Sequence, residues 1–243
     1  MNRVTPWRRG LLDDGDPRVG LAGRLDQLEE EPGVVRVQAH AAVRGGAAEI
    51  AKLGRAVDGI AARALGDFLF HCVMQRASDD NLPVQIHTGY LAGTWGALEG
   101  SKALHLVPIF NRYRRVRFDL FHASWPWCSE FGAIGKNYPN VWLDMCWAWS
   151  IDPYSACDTL RRTIHAVPSN KVFAFGGDAW WPSASVAYAA QARAWLSRAL
   201  EAEVNDGLLN EREAIAYATR LMRENQLDCF DVAGRRAALL AAA

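Results

Sequence analysis

Long apolar runs are missing from this 243-residue chain, although half of its residues are hydrophobic. Nowhere do the roughly 20 consecutive apolar residues of a membrane-spanning helix occur, so no such span is expected. Excess charge is missing too: 27 Lys and Arg balance 27 Asp and Glu. A neutral chain carries no electrostatic footprint for nucleic acid or for an acidic membrane, and neither is expected as a partner. Paired cysteines are also lacking. Cys72, Cys128, Cys146, Cys157 and Cys229 are odd in number and scattered, with no CxxC spacing. That pattern excludes a disulfide framework or a zinc finger and fits reduced thiols. The opening residues carry Arg3, Arg8, Arg9, Asp13 and Asp14 and lack the apolar core of a signal peptide. The expected compartment is the cytoplasm.

Three short segments carry the positive signal. They are Pro83-Val-Gln-Ile-His87, Phe118-Asp-Leu-Phe-His122 and Val172-Phe-Ala-Phe-Gly-Gly-Asp178. Each is an apolar, strand-like run that ends on a side chain able to ligate a metal, with glycine, aromatic or proline residues following. Parallel α/β barrels build active sites in this way, at the carboxyl ends of their strands.

The rest of the chain reads as alternating strands and helices. Residues 1–18 form an irregular lead-in, and 19–243 read as one domain. Val19 to Glu31 is an amphipathic helix closed by Pro32-Gly33, and Val34–Ala39 is a strand. Helical periodicity fills Ala47 to Ser78, with Asp58-Gly59 as a break. Further strands are expected at Val84–His87, Val116–His122, Val141–Met145 and Lys171–Phe175. Helices fall near Leu104–Tyr113, Glu130–Lys136 and Tyr154–Ala166, and beyond Trp181-Pro182 the remainder is helical. Strand–helix alternation implies βα units and a parallel sheet. Five strands are three short of a closed (β/α)8 TIM barrel. The expected fold is therefore α/β and TIM-barrel-like but incomplete, with extra C-terminal helices. Its open edges would favour a homo-oligomer.

Side-chain alternation gives the expected faces. Gln85 and His87 share one face of their strand, as do Phe118, Leu120 and His122. Ala174, Gly176 and Asp178 share a face that suits a crowded barrel axis, with Phe173 and Phe175 on the helix side. If the strands are neighbours, His87, His122 and Asp178 converge. Two imidazoles and a carboxylate suit Zn²⁺, or Mn²⁺ as the alternative. Trp95, Trp125, Trp127, Trp147, Trp149, Trp180 and Trp181 follow strand ends. With Tyr90 they are candidates for an aromatic wall around a small organic substrate, Tyr90, Trp95, Trp147 and Trp180 above all. Cys146 is expected to be a buried, inert thiol.

The segments PVQIHTGYLAG (83–93), RFDLFHASWPW (117–127), KNYPNVWLDMCW (136–147) and NKVFAFGGDAW (170–180) resemble the amidohydrolase superfamily. The resemblance is to its amidohydrolase-related group, near decarboxylases and uronate isomerases, and runs from about residue 33 to the helix containing Asn225. It implies a distorted (β/α)8 barrel in which His87, His122 and Asp178 stand where strands five, six and eight supply metal ligands. It implies Asp178 as general base and then acid, and His122 as ligand or oxyanion stabiliser. An HxH ligand pair, which the resemblance places on the first strand, is absent from the sequence. Gln38 falls near where relatives often carry a strand-four lysine, and the role of His40 beside it stays open. The chain thus resembles the last five-eighths of the barrel, and a truncated gene product is expected. The expectation for function is a metal-dependent hydrolase of a small organic substrate. A decarboxylase or sugar-acid isomerase on the same scaffold, or a non-catalytic fragment, are the alternatives.

Overall fold

A computed structural model describes residues 59–241, apart from 94 and 97. The described residues fall in two compact units, one holding 59–71 and the other beginning at Cys72 and carrying the whole sheet. The lead-in, the helix Val19–Glu31, the strand Val34–Ala39, Gln38 and His40 lie outside the described residues. So does the beginning of the expected single domain.

Helix α1 is described over Gly59–Asp79, and the expected Asp58-Gly59 break lies at the edge of the described residues. Then follow β1 (Pro83–Ile86), α2 (Val107–Arg112), β2 (Arg117–Leu120), α3 (Cys128–Asn137) and β3 (Val141–Asp144). Next come α4 (Ala148–Ile151), α5 (Pro153–Ala166), β4 (Val172–Phe173) and α6 (Pro182–Asn205). The chain ends through α7 (Glu211–Thr219), a π-helical turn over Arg220–Glu224, α8 (Asn225–Cys229) and α9 (Val232–Ala241). The strands pair in parallel in their sequence order, β1-β2-β3-β4. An ordered run of βα units is half of a TIM barrel's wall.

Local chemistry explains the boundaries. Asp152 caps α5 by accepting the Ser155 N–H at 3.1 Å, with Pro153 at the first helical position. Asn210 and Glu213 form a reciprocal capping box at the start of α7. Helix α6 opens on Pro182.

Register fixes the two faces of the sheet. Val84 pairs with Phe118, Ile86 with Leu120, Phe118 with Val141 and Leu143 with Val172. These residues share the helix-packed face, where Phe118 meets Phe110 of α2 with ring centroids 5.1 Å apart. The opposite face, toward the barrel interior, carries Gln85, Asp119, Trp142, Asp144 and Phe173. Two expectations are corrected here. Phe173 shares the face of Asp144, where its ring meets Phe230 at the end of α8, rather than the face of Leu143 and Val172. Phe118 and Leu120 lie on the helix side, opposite Gln85 and His87, so strict alternation would send His122 away from His87.

The outer edge of β4 is covered rather than open. Asn225 donates to the carbonyls of Ser169 and Val172, and Leu221 accepts the Ala174 N–H at 2.7 Å. The indole of Trp149 donates to the Ala174 carbonyl at 2.7 Å. These edge groups of β4 are satisfied within the chain. Among the described residues no helix is long and apolar enough to cross a membrane.

Candidate functional site

Each strand ends one or two residues earlier than its sequence pattern, and the side chains of the site stand just beyond those ends. Strand β1 stops at Ile86, and His87 follows in phase with Gln85. Strand β2 stops at Leu120. The chain then turns through His122, Ala123 and Ser124, all with positive φ (67°, 51° and 50°). That left-handed run is unfavourable for non-glycine residues. It swings His122 off the helix side and onto the same end as His87. Asp178 also has a positive φ, of 31°, in the loop after β4.

The structure brings His87, His122 and Asp178 together. Nδ1 of His87 lies 2.9 Å from Nε2 of His122, and Oδ2 of Asp178 lies 3.5 Å from the latter and 3.9 Å from the former. The point equidistant from these three atoms is about 2.0 Å from each, the bond length of Zn²⁺ to imidazole nitrogen or carboxylate oxygen. Two nitrogens and one oxygen also form a suitable donor set for such an ion. The three residues could hold a divalent cation. His122 is 1% exposed, whereas His87 and Asp178 open toward solvent.

Electrostatics suit this arrangement. Burial pushes the His122 pKa below its ordinary value; the Cys146 carbonyl and Asp178 act upward, and His87 acts downward. The imidazole is therefore held neutral, as a ligand must be. Its Nδ1 sits 2.9 Å from the Cys146 carbonyl. A carbonyl only accepts, so Nδ1 carries the proton and Nε2 presents its lone pair to the site.

Two buried carboxyl groups below the site were not singled out from sequence. Asp119 is 0% exposed; its Oδ2 accepts from Gln85 at 3.0 Å, while Oδ1 has no partner among the described residues. Burial raises its pKa to about 7, with the Gln85 hydrogen bond opposing. Asp144 accepts the Cys146 N–H at 2.7 Å. Burial, and then Asp119, push its pKa well above the carboxylate range. Alternation from Gln85 across β2 and β3 could have found both residues.

The aromatic residues divide. Tyr90 and Trp147 stack with centroids 6.1 Å apart, and Trp147 meets the His122 ring edge-on at 5.6 Å. Trp125 closes on Tyr90 at 5.9 Å. Trp149 is buried as a structural donor. Trp95 and Trp180, by contrast, are 102% and 92% exposed and line no enclosed wall. The expected wall reduces to Tyr90, Trp147 and Trp125. Gly89 makes it fit: with φ +71°, a Cβ there would lie 2.3 Å from the Trp125 carbonyl oxygen.

The family profile described as Amidohydrolase matches residues 7–217. The chain belongs to the amidohydrolase family. Among solved structures it is similar to a Lactobacillus casei ATCC 334 protein described as a metal-dependent hydrolase. That match has a TM-score of 0.62 and 16% identity, over 78% of this chain and 50% of that one. It is also similar to uronate isomerase from Thermotoga maritima, with a TM-score of 0.60 and 13% identity over 72% of this chain and 42% of that one. In sequence, 98 residues are 32% identical to Protein fluG of Emericella nidulans, covering 40% of this chain and 11% of that protein. The chain thus spans half or less of the length of these relatives. The structural likenesses bear out the TIM-barrel-like fold and its incompleteness among the described residues.

Proposed function

We propose that this amidohydrolase-family protein is a metal-dependent hydrolase acting on a small organic acid, amide, ester or lactone. The observation that carries the reading is the triangle of His87, His122 and Asp178, sized for a single divalent ion, with zinc the best match and manganese the alternative. When bound, such a cation supplies Lewis acidity to a carbonyl and lowers the pKa of water.

The residues of the chain supply the rest. His87 and His122 would contribute imidazole nitrogens to such an ion. Asp178, at the solvent-facing side of the triangle, has the reach to take a proton from the attacking water and return it to the leaving group. Trp147 meets His122 edge-on and Tyr90 lies against Trp147, and together they offer an apolar surface that orients an organic substrate and thins the water around it.

The test is metal analysis of the purified protein, followed by assays against lactones, esters, amides, uronates and aromatic acids, with CO₂ release monitored. Near-stoichiometric metal, lost in His87→Ala and Asp178→Ala, with hydrolysis of one substrate class, is the expected result. Unchanged metal content in both variants overturns the site. Isomerisation or CO₂ release without hydrolysis overturns the reaction type.

A further inference from the structure

The imidazole of His122 is held through a second residue, Cys146, by way of its backbone carbonyl. The Cys146 carbonyl accepts from Nδ1 of His122 at 2.9 Å and from the Ala148 N–H at 2.7 Å. That carbonyl points into the site because the chain reverses sharply after β3, with Trp147 in the left-handed region at φ 58°. A non-glycine residue keeps such a conformation only when its surroundings impose it. The restraint on the other side of Cys146 is Asp144, whose Oδ1 accepts the Cys146 N–H at 2.7 Å.

Asp144 is suited to that task. It is almost fully buried, on the interior face of β3, and cannot exchange the Cys146 N–H for water. Gly176, two residues before Asp178, closes the other side of the turn. A Cβ at Gly176 would lie 2.7 Å from both Cβ and Sγ of Cys146 and 3.1 Å from Oδ2 of Asp144. The loop that carries Asp178 thus packs directly on the turn that holds His122.

We propose that Asp144 is a positioning residue: by accepting the Cys146 N–H it fixes the carbonyl that keeps His122 protonated on Nδ1, leaving Nε2 aimed at His87 and Asp178. The inference rests on the metal-binding reading for its purpose, though the hydrogen-bond chain Asp144–Cys146–His122 stands without it. Outer hydrogen-bond partners of this kind set ligand orientation, and their loss weakens metal affinity by about 10–100-fold.

The experiment compares Asp144→Asn, which keeps a carbonyl oxygen as acceptor, with Asp144→Leu, which keeps the volume without it. Ring-nitrogen NMR of histidine-labelled protein reads the His122 tautomer, and zinc titration reads affinity. The wild type and Asp144→Asn should show the Nδ1–H form and similar affinity. Asp144→Leu should lose the single tautomer and bind zinc about 10–100-fold more weakly. An unchanged tautomer and affinity in a folded Asp144→Leu protein overturns the proposal. Should that variant not fold, Asp144→Ala, which also lacks the acceptor, is read in its place by the same two measurements, and an Nε2–H form of His122 in the wild type overturns the proposal equally. A protein that takes up no zinc yet shows the tautomer contrast keeps the positioning role and removes the metal reading alone.

Discussion

Nδ1–H of His87 donates to Nε2 of His122 across 2.9 Å, because the other ring nitrogen of His122 is already committed as a donor to Cys146. A cation held by both rings takes the lone pair of His122 Nε2 and needs the His87 proton moved from Nδ1 to Nε2, so that Nδ1 also offers a lone pair. The two nitrogens then need to part only slightly, since ligands about 2.1 Å from a tetrahedral ion sit roughly 3.4 Å apart.

A cation that binds the folded chain and not the unfolded one appears as added stability. Zinc at about 100 times its dissociation constant should stabilise the protein by about 2.7 kcal/mol. For a chain of this size that corresponds to a rise in Tm of roughly 5–10 °C. Thermal melts with and without chelator check the prediction. His122→Ala should melt at the same temperature in both, because the shared corner of the triangle is gone.

Gly89 and Gly176 lie beside the site, and substitution at each should fail for a different reason. At Gly89 an added methyl would meet the Trp125 carbonyl at 2.3 Å, at a φ of +71°. Backbone cannot rotate away, so Gly89→Ala should cost about 3 kcal/mol or more. It should also release the Tyr90 N–H from the Trp125 carbonyl, a contact of 2.7 Å. At Gly176 the obstruction is the Cys146 side chain, and about 1–3 kcal/mol is expected for Gly176→Ala. Urea melts should rank the two variants in that order, and Gly176→Ala should additionally weaken zinc binding.

How much of this was legible in the sequence depends on what alternation can see. Apolar runs ending in His87, His122 and Asp178 located β1, β2 and β4, and Trp181-Pro182 marked the start of the helical remainder at α6. Alternation failed at His122, because three consecutive positive φ angles after Phe121 break the two-residue period. It misplaced Phe173, because a two-residue strand is too short to show a period and the face is set by pairing with Asp144. The π-turn at Arg220–Glu224 leaves no pattern of its own, yet it supplies the Leu221 carbonyl that covers β4. The exposure of Trp95 and Trp180 was equally hidden, since composition alone does not say which loop residues fold inward. Asp119 and Asp144 were readable in principle, through register with Gln85.

Asp119 should make the protein less stable at neutral pH than at mildly acidic pH. Burial raises its pKa from 3.8 to about 7, so between those values the folded chain holds a proton that the unfolded chain has released. Stability therefore falls as pH rises through that window and levels off above it. Asp144 is shifted in the same direction by burial and by its neighbour Asp119, and adds to the trend. Asp119→Asn retains an acceptor for Gln85 and removes the ionisation. It should raise stability at pH 7 by up to about 4 kcal/mol, with the gain shrinking toward pH 4. Denaturant melts across that range check both the sign and the window. A gain that grows on acidification contradicts the assignment.

The cysteines offer a test of the interior that needs no ligand. Cys72 is exposed, Cys128 and Cys157 are half-buried, and Cys146 and Cys229 are buried. Burial, with Asp144 next in effect, pushes the Cys146 thiol far above its ordinary value, and burial pushes Cys229 up to about 12. The thiolate is the reactive form, so both should resist alkylation in the folded protein. Brief iodoacetamide treatment followed by peptide mass spectrometry should label Cys72 first, and Cys146 and Cys229 only after unfolding. Fast native labelling of Cys146 would mean that the turn holding His122 opens to solvent. Because Cys146 serves the site through its backbone N–H and carbonyl rather than its sulfur, Cys146→Ala should leave the His122 tautomer and zinc affinity within about twofold of wild type. Loss of either would assign the thiol a part in the site.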